Sequence, residues 1–371
     1  MTLHAFLQHL GFAFALSLLS AAAVRAMIAW PILDHPNSRS AHAHPTPRGG
    51  GVGVVLAFVA GMVALFQAAD FARIADRQFL GVIAAAVAIA GVALVDDVRD
   101  LPARLRFAAQ LAAALVALGS GLVLTRIALP WFGVVDLGWA GPALTLFWLL
   151  GCTNAVNFMD GLDGLVGGTA LVTCAALAAI AASQEAWFLY AAALFLVAGF
   201  AGFLPFNLHP ARIFLGDVGS QFAGFVLAVL AVASSRLDAA QVSFLILPLL
   251  LFGLLFDAGF TLLRRAAMGE SLGEAHRTHL YQMAQRAGVG TRAVAAAHWG
   301  FALFHAGLAA VFLQLASWAK PLVVLPALLV QLLWLLFVAR RARRAGLDWR
   351  SNAGRAAGVP AAGGAGLRGG G

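Results

Sequence analysis

Apolar residues in this chain come in long runs separated by short polar breaks. A helix that crosses a bilayer needs about 20 apolar residues. Runs of that length predict about eleven spans, near residues 5–30, 49–69, 78–95, 105–125, 139–157, 164–183, 186–205, 216–234, 240–262, 293–315 and 321–339. The expected fold is an all-α polytopic integral membrane protein, because only helices satisfy their own backbone within lipid when no barrel pattern is present. Residues 1–340 read as one transmembrane domain, and 341–371 as a basic, then Gly/Ala-rich, disordered tail. No repeat at a fixed period is visible.

Composition sharpens this reading. Hydrophobic residues make up 62% of the 371 and charged residues 11%, against about 45–50% and about 25% in soluble domains. The net charge of +8 comes from arginine, with Lys320 the only lysine. In a soluble protein such a balance would suggest nucleic acid, but no basic, aromatic-interleaved patch supports that. The positive-inside bias accounts for it instead. The first run has no basic residue before it and Arg25 behind it, which favours a retained first span with the N-terminus outside. With eleven spans the C-terminus is then cytoplasmic. The inside segments would hold Arg39, Arg48, Arg99, Arg104, Arg106, Arg212, Arg264, Arg265, Arg277, Arg286, Arg292 and the arginines of the tail. The outside loops would hold only Arg73, Arg77, Arg126, Arg236 and Lys320. Cys152 and Cys174 sit in apolar runs and read as packing residues.

With this topology the unusual polar motifs all fall on the cytoplasmic side. The stretch from Asp34 to Gly51 is rich in proline, which forbids a helix, and holds Arg39, Arg48 and three histidines. Asp96-Asp97-Val98-Arg99-Asp100 ends the third span. Adjacent carboxylates suit a site that takes a cation or a proton, or else a charged helix end. Asn154-Ala-Val-Asn157-Phe-Met-Asp160-Gly-Leu-Asp163-Gly-Leu follows the fifth. Asn207 leads through Arg212 to Phe214-Leu-Gly-Asp217-Val-Gly-Ser220, where an acid, glycines and a serine open a helix. Last comes His276-Arg277-Thr-His279-Leu-Tyr-Gln282. With no cysteine or nearby carboxylate to complete a zinc set, anion binding beside Arg277 is the better reading. Asp257, inside the ninth span, is equally compatible with a structural hydrogen bond and a place in the site. His298 and His305 read as packing residues.

These motifs, in this order, resemble the polyprenyl-phosphate N-acetylhexosamine-1-phosphate transferases, the MraY/WecA-type integral membrane enzymes. The resemblance spans about residues 30–290 and rests on Arg39…His42…Pro45-Thr-Pro-Arg48-Gly-Gly, Asp96-Asp97-x-x-Asp100, Asn154-x-x-Asn157-x-x-Asp160-Gly-x-Asp163-Gly-Leu and Phe214-x-Gly-Asp217-x-Gly-Ser220. Two departures stand out. Ser40 occupies a position that is often lysine, and the His276-Arg-Thr-His279 motif looks more like the O-antigen initiating branch than the peptidoglycan one.

The resemblance implies attack by an undecaprenyl phosphate oxygen on the β-phosphorus of a UDP-N-acetylhexosamine, with Mg²⁺ (or Mn²⁺) as cofactor, at the bacterial inner membrane. It implies Asp217 as metal ligand with Asp97 as a second carboxylate near the ion. Asp96 or Asp97 would accept a proton from the lipid phosphate or orient it, and Asp97, one residue nearer the cytoplasm, is expected to be the more sensitive. Asn157, Asp160, Asp163, Asn207 and Phe214 match nucleotide-binding positions. His276, Arg277 and His279 would hold the diphosphate or sugar, and Arg39, His42, Arg104 and Arg106 would hold phosphate. The partners are then the two substrates and membrane lipid, without nucleic acid, and a homodimer is left open. The rival class is a secondary transporter, since glycine-interrupted helices with intramembrane acids also describe carriers. A lipid-binding scaffold without catalysis is a further alternative, with no need for Mg²⁺ or Asp217.

Overall fold

A computed structural model describes residues 2–34, 45–68, 76–129, 131–235, 240–273 and 276–350. The helices are α1 (Leu3–Ala29), α2 (Gly51–Ala68), α3 (Asp76–Arg99), α4 (Ala103–Gly119), α5 (Ala140–Phe158), α6 (Leu165–Ser183), α7 (Trp187–Asn207), α8 (Gly216–Ser234), α9 (Ile246–Leu250), α10 (Phe252–Ala267), α11 (Leu280–Arg286), α12 (Thr291–Gln314) and α13 (Val324–Arg344). Among the described residues, eight helical segments are long and apolar enough to cross a membrane: α1, α2, α3, α6, α7, α8, α12 and the Lys320–Arg344 segment that ends in α13. The remaining apolar runs form α4, α5 and the α9–α10 pair. The ninth run is not one helix: α9 starts just before Pro248, which cannot continue an earlier turn, and a turn at Leu251 separates it from α10.

The all-α expectation needs a small correction. β1 (Ile32–Asp34) and β2 (Thr46–Arg48) pair antiparallel, as do β3 (Arg126–Leu129) and β4 (Gly133–Asp136). The second pair occupies the chain after α4, which stops at Gly119 ahead of the left-handed Gly121 (φ +105°).

The core lies around α6, α7 and α8, whose apolar windows are 67%, 72% and 89% buried, against 22% for α1 and for the last span. The outer helices therefore show apolar side chains such as Phe14, Leu325 and Leu333 to their surroundings. Helices in lipid associate through close packing of small residues. Where α2 crosses α8, a Cβ on Gly51 would fall 2.2 Å from the Gly219 Cα.

The alternation of helix directions gathers the polar segments at one end of the bundle. The β1–β2 pair, the α3–α4 and α5–α6 turns, the α7–α8 loop and the α10–α12 connection all lie there. The β3–β4 hairpin caps the opposite end.

Candidate active site

The end of α3 meets the start of α8. Asp97, 2% exposed, accepts the Asp217 backbone N–H on Oδ1 and the Val218 N–H on Oδ2, both at 3.1 Å. A helix start leaves such donors unpaired and carries a partial positive charge, so one carboxylate satisfies two of them. Gly216 makes the approach possible: its φ is +77°, and a Cβ there would lie 2.7 Å from Asp97 Oδ2. The first loop is stitched to the same place. Phe214 N donates to Pro47 O at 2.8 Å, while Gly50 N and Gly51 N donate to Phe214 O and Leu215 O at 2.9 and 2.8 Å. Arg48, carried by β2, reaches Asp100 at 3.2 Å and stands 4.0 Å from Asp97.

Asp96, 4% exposed, accepts the Leu101 N–H at 2.6 Å on Oδ1 and faces Arg106 Nη1 with Oδ2 at 3.3 Å. The same Arg106 nitrogen is 3.5 Å from Asp217 Oδ2. Asp217 Oδ1 accepts from Asn157 Nδ2 at 2.8 Å, and that amide also reaches Ser220 Oγ at 2.9 Å. Asp217 thus sits between α4 and α5 with its side chain 28% exposed, the most open of the carboxylates Asp96, Asp97 and Asp217. Asp160, half-buried in the α5–α6 turn, has its carboxyl pushed well above the ordinary range by burial first, then by the charges of Asp217, Asp97 and Asp163.

The His276–Tyr281 segment forms a second wall. Asp257 of α10 accepts the Leu280 and Tyr281 N–H groups at 2.9 and 3.0 Å and holds His279 Nδ1 at 3.2 Å. Asp257 therefore anchors the motif. The Tyr281 hydroxyl donates to Phe158 O at 3.0 Å, tying this wall to the end of α5. Gly161 must be glycine for that, since a Cβ there would meet the hydroxyl at 2.2 Å. The His276 and His279 rings stack at 4.9 Å.

The motifs therefore converge, but with unequal roles. Asp96, Asp97, Arg106, Asn157 and Asp217 form one bonded cluster, with Asp160 near it. Asn207 is 4% exposed; it accepts the Gly164 N–H and donates to Ile213 O, so it braces two loops. Asp163 takes His209 Nδ1 at 2.6 Å and the Ala211 N–H at 3.1 Å, and so also works as a brace. His279 is buried, while His276, Arg277 and Phe214 are half-buried and Arg104 is exposed. Arg39 and His42 lie outside the described residues. Arg48 and Ser220 were present in the motifs without an individual role in the sequence reading. Gln110 and Gln221 were missed, although a glutamine inside an apolar span is itself a signal.

Among the described residues no three His, Cys, Asp or Glu side chains form a ready metal cage. Mg²⁺ does not require one: it commonly takes one or two carboxylates and completes its shell with water and substrate phosphates. The donors here are hard carboxylate oxygens, and Asp217, with its partly open side chain, is the one best placed to reach an ion. The donor set fits such an ion, and Asp217 is the most open of the carboxylates Asp96, Asp97 and Asp217.

The glycosyl transferase family 4 pattern matches residues 79–235, the stretch that contains this cluster. The chain is 30% identical to the decaprenyl-phosphate N-acetylglucosaminephosphotransferase of Mycobacterium leprae, over 67% of this chain and 68% of that one. It is 29% identical to the probable undecaprenyl-phosphate N-acetylglucosaminyl 1-phosphate transferase of Bacillus subtilis, over 70% of this chain and 71% of that one. To the phospho-N-acetylmuramoyl-pentapeptide-transferase of Geobacillus kaustophilus it is 35% identical, over 50% of this chain and 60% of that one. An enzyme of a polytopic membrane class is thus defined. The chain belongs to glycosyl transferase family 4, among the polyprenyl-phosphate sugar-1-phosphate transferases.

Proposed function

We propose that this enzyme transfers N-acetylhexosamine-1-phosphate from a UDP-sugar to undecaprenyl phosphate. The observation that carries the reading is the Asp217 carboxylate, half-open between Arg106 and Asn157 at the end of the bundle where the polar motifs gather. In the reaction a lipid phosphate oxygen forms a bond to the β-phosphorus, the bond from that phosphorus to the bridging oxygen breaks, and UMP leaves. Both reactants are anions, so their approach requires positive charge. Arg106 and Arg48 supply part of it. When bound, Mg²⁺ would be held by Asp217 and would supply Lewis-acid screening of the diphosphate.

The side chains divide the remaining work. Asp96 shares the Arg106 guanidinium with Asp217, which supports a role for it in accepting the remaining proton of the attacking phosphate. The second pKa of a phosphate monoester is about 6, so that demand is small near neutrality. Asp97, whose two oxygens hold the start of α8, orients Asp217 instead. Asp160 and Phe214 would meet the nucleotide, and His276 and Arg277 the sugar and diphosphate from the opposite wall.

The full reading has eleven spans, with α4, α5 and the α9–α10 pair added to the eight, the N-terminus outside and the site facing the cytoplasm of a bacterial inner membrane. Arginine asymmetry supports this orientation. The names of the relatives favour N-acetylglucosamine as the sugar, and initiation of O-antigen or another envelope polymer is the biological role. Nothing in those names favours a transporter. The test is purified protein with undecaprenyl phosphate and a panel of UDP-N-acetylhexosamines. UMP release with lipid-linked sugar, stopped by chelator and restored by Mg²⁺, is expected. No lipid product with any of the sugars refutes the reading.

A further inference from the structure

α4, α5 and α8 meet twice, in two polar layers one turn apart. The layer at the site end joins Arg106, Asn157 and Asp217. The deeper layer joins Gln110, Asn154 and Gln221. Gln110 Nε2 donates to Gln221 Oε1 at 3.0 Å, and Asn154 Nδ2 donates to Gln110 Oε1 at 2.8 Å and to Leu150 O at 2.8 Å. Each helix contributes one residue to each layer. Arg106 and Gln110 are four apart on α4, Asp217 and Gln221 four apart on α8, and Asn154 and Asn157 three apart on α5, the spacings that share a helix face. α4 and α8 begin at the site end and α5 ends there, so in all three the amide lies deeper.

Gln110 and Gln221 are each 4% exposed. A buried amide without partners costs several kcal/mol in an apolar surround, so the deeper layer tolerates few alternatives. Turning any one helix by a single residue moves its side chains by about 100° and would break the amide chain. The same turn would carry Arg106, Asn157 or Asp217 away from the others. We propose that Gln110, Gln221 and Asn154 are positioning residues: a three-helix amide clamp that fixes the rotation of α4, α5 and α8 so that Arg106 and Asn157 meet Asp217. The inference rests on Asp217 being the metal-facing group of the proposed transferase.

The test uses purified Gln110→Leu, Gln221→Leu and Gln221→Glu proteins, with two readouts. One is Mn²⁺ binding in the absence of substrates, followed by electron paramagnetic resonance; the other is kcat and KM for UDP-N-acetylglucosamine with undecaprenyl phosphate. Each Leu variant, while monodisperse in detergent, is expected to lose about 10–100-fold in Mn²⁺ affinity and in kcat. KM for the nucleotide sugar should change less than kcat, since Asp160, Phe214, His276 and Arg277 lie outside the clamp. Gln221→Glu keeps an acceptor for Gln110 Nε2 and should return both readouts toward wild type. If the single Leu variants fail to fold, the Gln110→Leu/Gln221→Leu pair, which orphans neither glutamine partner, is measured the same way. Wild-type Mn²⁺ affinity and kcat in a folded Leu variant would overturn the inference and reduce the amides to packing. A wild-type protein that makes no lipid product yet shows clamp-dependent Mn²⁺ binding would sink the transferase reading and leave the clamp standing.

Discussion

The two ends of the bundle both carry ion pairs, built on different terms. At the hairpin end Arg126 Nε and Asp136 Oδ2 are 3.7 Å apart, with side chains 72% and 67% exposed. At the site end Asp96 and Asp97 are almost fully buried, and each spends oxygens on backbone N–H groups from another turn or helix. An exposed pair is worth little, whereas a buried carboxylate is tolerated only when paired and hydrogen-bonded. The difference locates where the chain has committed structure to holding charge, and the same end contains the motifs. The comparison can be broken by substitution, and the expected effects run from near-total loss to almost none.

The largest effect belongs to Asp217. Asp217→Asn keeps size and can still accept from Asn157, but removes the charge that faces Arg106 and that is proposed to hold a divalent ion. Turnover should fall at least about 10³-fold, while the thermal midpoint in detergent changes little. Excess chelator should silence the wild type to the same degree. Full turnover in chelator would remove Asp217 from this role.

Asp96 and Asp97 come next and should fail differently. Asp96→Asn removes the group proposed to take the proton of the attacking phosphate, so kcat should drop about 10²–10⁴-fold with the Mg²⁺ requirement unchanged. Asp97→Asn leaves one oxygen for two N–H groups and turns an NH₂ toward the other. The start of α8 should loosen, the Mg²⁺ concentration for half-maximal rate should rise, and kcat should fall about tenfold. Sequence position alone made Asp97 the more sensitive residue; the proposed division of roles expects the opposite order. Magnesium titrations of both variants distinguish the two, and identical Mg²⁺ dependence would erase the division of labour.

A smaller effect is expected at the second wall. Asp257→Ala deprives the Leu280 and Tyr281 N–H groups of their acceptor at buried positions, at about 1–3 kcal/mol each. The thermal midpoint should fall. KM for the UDP-sugar should rise about tenfold if roughly 1.4 kcal/mol of that cost reaches binding, with kcat moving less. An unchanged KM would detach this wall from the nucleotide sugar.

Much of this arrangement was legible in the residues. Apolar run lengths gave the helices, because lipid demands them, and the four motifs placed Asp96, Asp97, Asn157 and Asp217 at one end. What the sequence hid was the direction of each side chain. Asn207 and Asp163 also brace loops, which their motifs do not signal, since only the fold brings Gly164, Ile213, His209 and Ala211 to them. The β3–β4 hairpin was hidden by the apolar stretch that runs into it, and the split of α9 from α10 by the continuous apolarity around Pro248. Gln110 and Gln221 are 111 residues apart, a separation at which no local pattern signals contact.

The smallest effect is expected at the opposite end, where it measures the contrast itself. Arg126 and Asp136 face each other in the hairpin register, but solvent screens both, and a second acceptor role of Asp136 is local, to Gly138 N at 2.9 Å. Arg126→Ala should therefore cost less than about 1 kcal/mol. Turnover and the Mg²⁺ requirement should match wild type, because the pair lies at the end of the bundle opposite Asp217. Asp136→Ala should behave alike, with a slightly larger loss from the Gly138 contact. A several-fold fall in kcat from either change would mean that the hairpin end is coupled to the site, and the division between a committed end and an inexpensive one would fail.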